Sequence, residues 1–566
     1  MKNYTLIFAI IFMVSLTPVS GQTGILSSQI GYDRGDLIRV IVRNDKPDFL
    51  SEDARFSVID SKGKLKPWGN KWNSNWWVTE ITDIQEPGKY KVIVEDKNQI
   101  LTSDTIEVGE NILLSKCFHT IAFDNLKTRS EQARTGKGWK DCGSDLQEFS
   151  SHVVAVDALC DVLEIGVGFT TPEERRLLLE QILIGSEYLT HLQDKAKSLG
   201  LGDGCVIHED RQTDVVTGNV EKAAMIFARV SRLIRITNAE LSNEFLERSK
   251  RAFIWIEKNG PIVNQEEQLF FPLIHGAPSG ALPPNDQWMT RDLVMMLRAS
   301  VELFRAGENG YKKKAINYAK IIIDRQVPES DSEGGLFGHF YTYEDYTPFG
   351  GIRFTEKADI HCGAWSKEGR IYNKGGHYPH YLIPMLEMLK LWPDHKDAPI
   401  WKQCLQNFAY GYFIPACNQS PFLILPAGYY QNEGLLYFGS WYHGHNKIYA
   451  FAASLALEFQ KFFKDDQFRA IAVGNIQWIA GLNTGLKDDD TSKYLPVSMI
   501  AGKGGRYSGS WTGIPGSICN GFSAGKQFSV TPASAENDMP VYFNDEDYIA
   551  HTVPYLAALT RFKAYK

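Results

Sequence analysis

The segment 544–554 near the C-terminal end holds the side chains with the clearest capacity for acid–base chemistry. It places Asp545, Glu546 and Asp547 at the start of an apolar stretch whose helical periodicity predicts a helix over 547–562. Acidic side chains stabilise a helix N-terminus by roughly 0.3–1 kcal/mol each, which is a sufficient structural reason for Asp545 and Asp547. Folding alone does not require so much negative charge beside a core, so the segment is a candidate for proton-transfer chemistry.

The elements that must position these acids are helices, and twelve are predicted from about residue 112 onwards. An even-numbered helix is followed by the next helix after about 2 to 6 residues, a normal length between antiparallel neighbours, whereas an odd-numbered helix is followed after roughly 20 residues or more. Hairpins with short links on one face and long links on the other predict a closed ring of inner and outer helices, an all-α (α/α)6 barrel. The predicted spans are 113–127, 150–166, 173–195, 218–237, 241–258, 288–305, 311–325, 378–392, 398–412, 446–463, 466–480 and 547–562.

All long loops of such a barrel share a face with the N-termini of the inner helices, so the residues just upstream of the even-numbered helices should line one cleft. Carboxylates, histidines and tryptophans are concentrated there, and these are the side chains that a saccharide site uses. Glycoside hydrolysis needs one carboxylic acid to protonate the leaving oxygen and one carboxylate to activate water or to attack. The cleft residues are Asp141, Asp145, Glu148, His208, Glu209, Asp210, Asp286, Trp288, His377, His380, Trp441, His443, His445, Asp545 and Glu546.

Three motifs in this chain resemble glycoside hydrolase family nine. The Asn-x-Glu-x-x-Ile pattern of 544–549, with a Pro eight residues after the Glu, is similar to the closing motif of that family. The Pro-Gly-x-x-x-Asn-Gly pattern of 515–521 resembles the segment that precedes it, and 138–145 resembles the family's Gly-Trp-x-Asp-Ala-Gly-Asp. The motifs occur in the family's order, and the resemblance extends over nearly the whole chain after residue 21.

The resemblance implies an inverting glycoside hydrolase in which Glu546 is the general acid and Asp145, assisted by Asp141, is the base. One departure concerns the acids, which stand four residues apart where the family has three, because either Gly143 or Ser144 is an extra residue. A loop containing Gly can bulge to absorb it. We therefore expect Asp145 to face Glu546 at the inverting distance of about 6.5–9.5 Å, with Asp141 beside it.

A second departure is the segment 506–511, Arg-Tyr-Ser-Gly-Ser-Trp, where the family usually has a substrate-binding His-His-Arg. The substrate therefore need not be cellulose. Two other functions stay open: a polysaccharide lyase with a Tyr or His base, and a carbohydrate-binding protein that has lost catalysis. A lyase would release a product that absorbs ultraviolet light, and a binding protein would retain glycans without turnover.

Substrate binding is assigned to the cleft tryptophans and histidines rather than to a metal ion. In 377–380, Pro379 is expected at the first helical position, which separates the two histidines between loop and helix. We expect neither a cofactor nor a metal. The substrate-binding residues are Trp288, His377, His380, Trp441, His443 and His445.

The first 21 residues are typical of an export signal, with Lys2 before the apolar run 6–16 and small residues before Gln22. The protein is therefore expected to be exported to the periplasm or secreted. No later run of about 18 apolar residues exists, so no membrane span is expected. A formal net charge of −7 argues against a nucleic-acid partner. The expected partner is a poly- or oligosaccharide, and the oligomeric state is left open.

Residues 22–110 are expected to form a small all-β sandwich ahead of the barrel, which is assigned to 111–566. The segments 37–42, 55–60 and 89–95 alternate β-branched or aromatic residues with polar ones and are separated by turn signals. Two short segments, 29–32 and 87–90, resemble the immunoglobulin-like module that often precedes the family-nine catalytic domain. Four tryptophans are expected to pack against the barrel rather than to bind sugar, namely Trp68, Trp72, Trp76 and Trp77.

Overall fold

The computed structural model describes residues 24–261, 288, 290–341, 382–426, 428–430, 434–437, 446–487, 493–504, 510–523 and 542–566, apart from 73, 98, 212, 214, 217 and 333. The predicted export signal over 1–21 lies outside these residues. So do five of the predicted substrate-binding residues, namely His377, His380, Trp441, His443 and His445.

The N-terminal part is the predicted β-sandwich, built from three sheets with the strand orders β1-β3-β7-β6, β10-β9-β4-β5 and β2-β11-β8. All neighbouring strands are antiparallel except β2 and β11. Alternating apolar side chains of these strands meet in a separate small core. The strands are β1 (Gly24–Leu26), β2 (Tyr32–Asp33), β3 (Ile38–Asn44), β4 (Arg55–Val58), β5 (Ser61–Lys64), β6 (Lys66–Lys71), β7 (Ser74–Ile81), β8 (Gly88–Tyr90), β9 (Ile93–Asp96), β10 (Gln99–Thr102) and β11 (Ile106–Gly109). Short strands also occur among the helices that follow, and the first four are β12 (Gly428–Tyr430), β13 (Gly434–Leu436), β14 (Leu486–Lys487) and β15 (Tyr494–Leu495).

Twelve helices follow in the described part of the chain, short 3-10 turns aside, and each predicted span overlaps one of them. The first and ninth continue through π-helical turns. The helices are α1 (Ile112–His119, Thr120–Asn125 and Leu126–Glu131), α2 (Phe149–Ile165), α3 (Pro172–Ser198), α4 (Asn219–Ile234), α5 (Ala239–Asn259), α6 (Thr290–Arg305), α7 (Tyr311–Asp324), α8 (Ile383–Leu391), α9 (Ala398–Gln406, Asn407–Phe413 and Ile414–Cys417), α10 (Asn446–Phe463), α11 (Gln467–Ile479) and α12 (Ile549–Ala564).

The helices form the predicted (α/α)6 barrel. The even-numbered helices α10, α12, α2, α4, α6 and α8 contact one another in this order and make the inner ring. The odd-numbered helices α3, α5, α7, α9 and α11 each pack against the inner helix that precedes them, and α1 packs against α12. The inner helices α2, α4, α6, α10 and α12 are buried along almost their whole length. Their N-termini and the long loops therefore lie together at one end of the barrel.

The opposite end of the barrel is filled by buried ion pairs between the C-terminal halves of inner helices. Arg229 of α4 pairs with Asp157, Asp161 and Glu164 of α2, and Arg561 of α12 also pairs with Asp161. Burial opposes ionisation of Asp161, but Arg561 and Arg229 together hold the pKa of its carboxyl well below its usual range. The acids and arginines of this end are therefore engaged with one another, whereas the candidate cleft residues lie at the loop end.

The sandwich is fixed to the barrel by aromatic packing and by arginine side chains. The ring of Trp72 stacks on Phe422, with centroids 6.0 Å apart and an interplanar angle of 5°. Trp76 meets the same ring edge-on at 5.4 Å. Arg43 Nη1 donates to the carbonyl oxygen of Thr484 at 2.9 Å. The expectation that these tryptophans pack against the barrel is confirmed for Trp72 and Trp76, whereas Trp77 belongs to the core of the sandwich.

Two observations concern only the part of the chain that the structure describes. None of its helices is long and apolar enough to cross a membrane. Its seven cysteines are all buried, and none of them forms a disulfide there.

Replacement of Trp72 by Ala should lower the free energy of unfolding by about 3–5 kcal/mol, the usual cost of emptying a buried aromatic site. Chemical denaturation followed by far-ultraviolet circular dichroism measures this change. Ile100→Ala is the control, because Ile100 lies in the same sandwich with 69% of its surface exposed. It should change the free energy by no more than about 0.5 kcal/mol. Equal effects of both substitutions would contradict the role assigned to Trp72.

Candidate active site

Glu546 lies on a β-strand and not, as the periodicity predicted, beside the first turn of a helix over 547–562. Tyr542–Asp547 forms β17, which pairs antiparallel with β16 (Cys519–Ser523), and α12 begins only at Ile549. The physical reason is the hydrogen-bonded pairing with β16, a segment about twenty residues away in sequence that helical periodicity does not register.

A β-bulge orients the acids of β17. The register changes from Cys519↔Asp547 to Gly521↔Asn544, so β17 has one more residue than β16 between these pairs. Regular alternation would place Glu546 and Asp547 on opposite faces. The bulge leaves both of them buried and only Asp545 exposed.

The carboxyl group of Glu546 has the properties of a general acid. Only 4% of the surface of Glu546 is exposed. Burial raises the pKa of Glu546 to about 7, the hydrogen bond from Tyr548 opposes this rise, and the nearby carboxylates Glu148, Asp547 and Asp545 add to it. A group with this pKa is partly protonated near neutral pH and can donate a proton to a leaving oxygen.

Asp141 is joined to the strand of Glu546 through the backbone. The amide of Ile549, the first residue of α12, donates to the carbonyl oxygen of Asp141 at 2.8 Å. The side chain of Asp141 is fully buried, and its Oδ2 accepts the backbone N–H of Glu148 at 2.7 Å. Burial and the charge of Glu148 raise the pKa of Asp141 well above its usual range, and the Arg129 guanidinium opposes this.

Glu148 is the third carboxylate of the site. It precedes the first residue of α2 in an extended conformation, and its side chain is 23% exposed. Its Oε1 lies 3.7 Å from Nε2 of His208. Its charge contributes to the raised pKa of both Asp141 and Glu546, and its backbone N–H donates to Asp141 Oδ2 at 2.7 Å. We call Asp141, Glu148 and Glu546 the carboxylate cluster.

Sequence reasoning placed Glu148 in the cleft but gave it no role. The available signal was its position immediately before an inner helix, where the dipole and the preceding loop both point at the cleft. Ser144 Oγ, which lies 3.0 Å from the buried Cys142 Sγ, stands three residues after Asp141 in the chain.

Asp145 does not have the position expected of it. Its side chain is 65% exposed, and its two oxygens accept from Arg211 Nη1 and Nη2 at 3.0 and 3.1 Å. The hydrogen bonds from Arg211 hold the pKa of Asp145 below its usual value. The extra residue in the loop turns this carboxylate outwards, where Arg211 binds it, instead of bulging to bring it beside Asp141.

Arg129 of α1 fixes the two acid-bearing segments to each other. Its guanidinium forms an ion pair with Asp547 and donates to Ser517 Oγ at 2.8 Å and to the carbonyl oxygen of Lys140 at 3.0 Å. Both side chains of the Arg129–Asp547 pair are fully buried. Asp547 is thus a structural residue, but through Arg129 and not through helix capping.

The motif residues Trp139 and Asn520 are also structural. Trp139 is fully buried, and its ring stacks on His152. Nε2 of His152 accepts the backbone N–H of Trp139 at 3.1 Å. Asn520 Oδ1 lies 2.8 Å from Nε2 of His551, and Nδ1 of the same ring accepts the N–H of Lys447 at 3.0 Å. These contacts tie the motifs to the starts of α2, α10 and α12.

The remaining described cleft residues are held in ion pairs or in packing contacts. Glu209 is buried and pairs with Arg134 at 2.5 Å. Asp210 accepts from Lys195 at 2.9 Å. Trp288 is half-buried, and its ring covers Gly260 at the end of α5. Substrate binding by Trp288 stays a prediction. Among the described residues, no group of three or more His, Cys, Asp or Glu is arranged to hold a metal ion.

The fold matches that of endoglucanases of known structure. Neither a family model nor a curated protein matches the sequence. Solved structures do match, beginning with a metagenome-derived glycoside hydrolase family 9 endoglucanase at a TM-score of 0.60 and 14% identity, over 96% of this chain and 99% of that one.

Two further structures give the same result. A single mutant of a thermostable endoglucanase from Alicyclobacillus acidocaldarius matches at a TM-score of 0.56 and 13% identity, over 95% of this chain and 99% of that one. The structure of AaCel9A in complex with cellobiose-like isofagomine matches at a TM-score of 0.56 and 14% identity, over 95% of this chain and 99% of that one. The fold of this chain is therefore that of family-nine endoglucanases, as the sequence motifs indicated.

Replacement of Glu546 by Gln should alter how stability depends on pH. A carboxyl whose folded pKa is raised stabilises the protein fully below its unfolded pKa, and this contribution is lost as the pH rises through the folded value. With values of 4.5 and about 7, Glu546→Gln should become more stable than the wild type by up to about 3 kcal/mol above pH 7. Urea denaturation between pH 4 and pH 9 measures this. Parallel stability curves would show that Glu546 is already ionised in the fold.

Proposed function

We propose that the protein is an inverting glycoside hydrolase of the family-nine type, with Glu546 as general acid and Glu148, together with Asp141, on the water-activating side. The observation that carries the proposal is the buried carboxyl of Glu546, with a pKa of about 7, beside two further carboxyls at the open end of the barrel. Hydrolysis of a glycosidic bond needs these two functions from two acids.

The environments of the three carboxyls favour a different role in the reaction for each of them. Asp141 is fully buried and next to the charge of Glu148, so it favours the protonated form. Glu148 is partly exposed and can reach a water molecule in the cleft. In the reaction, Glu546 gives its proton to the leaving oxygen as the bond to the anomeric carbon breaks. Water attacks that carbon from the opposite face, and its proton passes to Glu148.

Asp145, the base expected from the sequence, is not included in this proposal. Its two oxygens are occupied by Arg211, and an Arg–carboxylate fork of this kind holds the acid in its weakly basic, ionised form. Its exposed position also leaves water free to compete with any substrate contact. The carboxylates that surround Glu546 are Glu148, Asp547 and Asp545.

The charges around the cluster favour a neutral substrate. A lyase acting on uronic acids needs a group that neutralises the substrate carboxylate. In the described part of the chain, the cations Arg129, Arg134 and Arg211 contact the acid-bearing segments. They are already paired with Asp547, Glu209 and Asp145, respectively. A negatively charged sugar would be repelled by the cluster, so hydrolysis of a neutral glycan is favoured over β-elimination. The fold shared with endoglucanases makes β-glucans the first substrates to test.

Activity should be found by measuring reducing-sugar release from barley β-glucan, glucomannan, xylan and carboxymethylcellulose. Glu546→Gln and Glu148→Gln should each lower kcat/KM on the cleaved glycan by about 10²–10⁴-fold, the usual contribution of a general acid or base. Asp145→Asn is the matched control and should retain most of the activity. Loss in Asp145→Asn with activity kept in Glu148→Gln would restore the assignment made from the sequence.

Two other results with the same glycans would replace the proposed function. Glycan binding without turnover by the wild-type protein would indicate a carbohydrate-binding protein. An ultraviolet-absorbing product would indicate a lyase.

The stereochemistry of the product tests the inverting mechanism. Proton NMR of the first sugar released from a β-linked substrate should show the α-anomer before mutarotation, because water attacks the face opposite to the leaving group. A first-formed β-anomer would contradict the assignment of Glu148 as a base and would make it a nucleophile.

A further inference from the structure

Trp511 has an exposed indole at the carboxylate cluster. Its exposed fraction is 51%, which makes it the one tryptophan among the exposed large apolar residues in the described part of the chain. The other described tryptophans are buried or half-buried in packing contacts, as Trp72 and Trp139 illustrate. An exposed indole leaves a large apolar surface in water, so its position needs a reason beyond folding.

The indole of Trp511 is held in a fixed orientation. Its Nε1–H donates to Asp545 Oδ1 at 2.6 Å. The next residue, Thr512, donates its N–H and its hydroxyl to Asp547 at 3.0 and 2.8 Å. Asp547 is in turn held by Arg129. The indole is therefore held through its own Nε1–H and through the neighbouring residue Thr512. Little conformational entropy remains to be lost when a ligand contacts it.

The position of Trp511 joins the two halves of the site. Its ring covers Gly143, two residues after Asp141, so closely that a Cβ added to Gly143 would lie 2.8 Å from Trp511 Cβ and 2.9 Å from Cδ2. Its hydrogen-bond partner Asp545 directly precedes Glu546. The exposed part of the ring thus stands beside the acid and beside the loop of the water-activating side.

A flat apolar ring in this position suits the C–H face of a pyranose. Aromatic side chains in ligand sites supply apolar contact area, and a few polar groups fix orientation. Asp545, which holds the indole, adds an acceptor for sugar hydroxyls at the ring edge. The negative charge of Asp545 and of the cluster disfavours a uronic acid in contact with this ring.

We propose that Trp511 is a stacking platform for a neutral pyranose unit next to the bond that is cleaved, so that it helps to determine which glycan binds. This inference rests on the proposed function. It assigns substrate recognition to the ring face of Trp511.

Affinity electrophoresis in gels containing barley β-glucan, glucomannan, xylan or carboxymethylcellulose tests the platform. The catalytically impaired Glu546→Gln protein serves as the parent, so that the polysaccharide is not degraded. Adding Trp511→Ala should raise the Kd for the neutral glycan that binds best by roughly tenfold or more, and Trp511→Phe should restore most of the binding, since stacking needs only the ring. The wild-type background should show the Trp511→Ala effect mainly in KM.

Two further variants separate stacking from a structural role. Gly143→Ala leaves Trp511 in the chain but pushes its ring away, and should weaken binding in the same way. Tyr410→Ala removes an aromatic ring that is 42% exposed on α9, outside the cleft, and should leave Kd unchanged. Thermal unfolding of each variant shows whether the fold is kept.

The outcomes distinguish the two proposals. Glycan binding by the parent that is unaffected by both Trp511→Ala and Gly143→Ala would overturn the platform and leave the proposed hydrolase intact. Stronger retention by carboxymethylcellulose than by every neutral glycan would overturn the neutral-pyranose assignment. No binding of any of the four polysaccharides, together with no turnover, would overturn both proposals.

Discussion

The ion pair between Arg129 and Asp547 is the interaction on which the geometry of the site depends. It connects α1, the strand of Glu546, the segment around Ser517 and the carbonyl of Lys140. Breaking a buried pair by removing one partner typically costs about 3–5 kcal/mol, because the other charge is left without compensation. The pair therefore holds the loop of Asp141 and the strand of Glu546 together. It does so without placing a further uncompensated charge beside the carboxylate cluster.

The three consecutive acids of β17 have three different roles, and their partners determine which. Asp547 is bound by Arg129 and by Thr512, so its charge is compensated. Asp545 faces the surface and orients an indole. Glu546 is buried between them, and its raised pKa follows from this burial and from the neighbouring carboxylates. A regular strand would not bury both Glu546 and Asp547, so the bulge against β16 is what makes this division possible.

The sequence allowed the barrel to be predicted well because helical periodicity and loop length are local signals. It predicted each of the twelve helices, and it placed Glu546 and Asp141 at the open end. It did not predict the strand Tyr542–Asp547, because that strand exists through pairing with β16. It also did not predict the orientation of Asp145, which depends on Arg211, a residue 66 positions away. Contacts between distant segments decide such details, and no spacing rule within one loop contains them.

The altered acid loop can be understood as a relocation of one carboxylate. If no residue of the loop is treated as inserted, Ser144 occupies the position three residues after Asp141 at which the family it resembles has its second acid. The hydroxyl of Ser144 contacts Cys142. Asp145 then falls one position beyond and turns to solvent. Glu148, which precedes α2, provides a carboxylate near Asp141, because its backbone N–H donates to Asp141 Oδ2 at 2.7 Å. In the proposed hydrolase, the second acid of the water-activating side is therefore carried by the residue that precedes α2 and not by the loop.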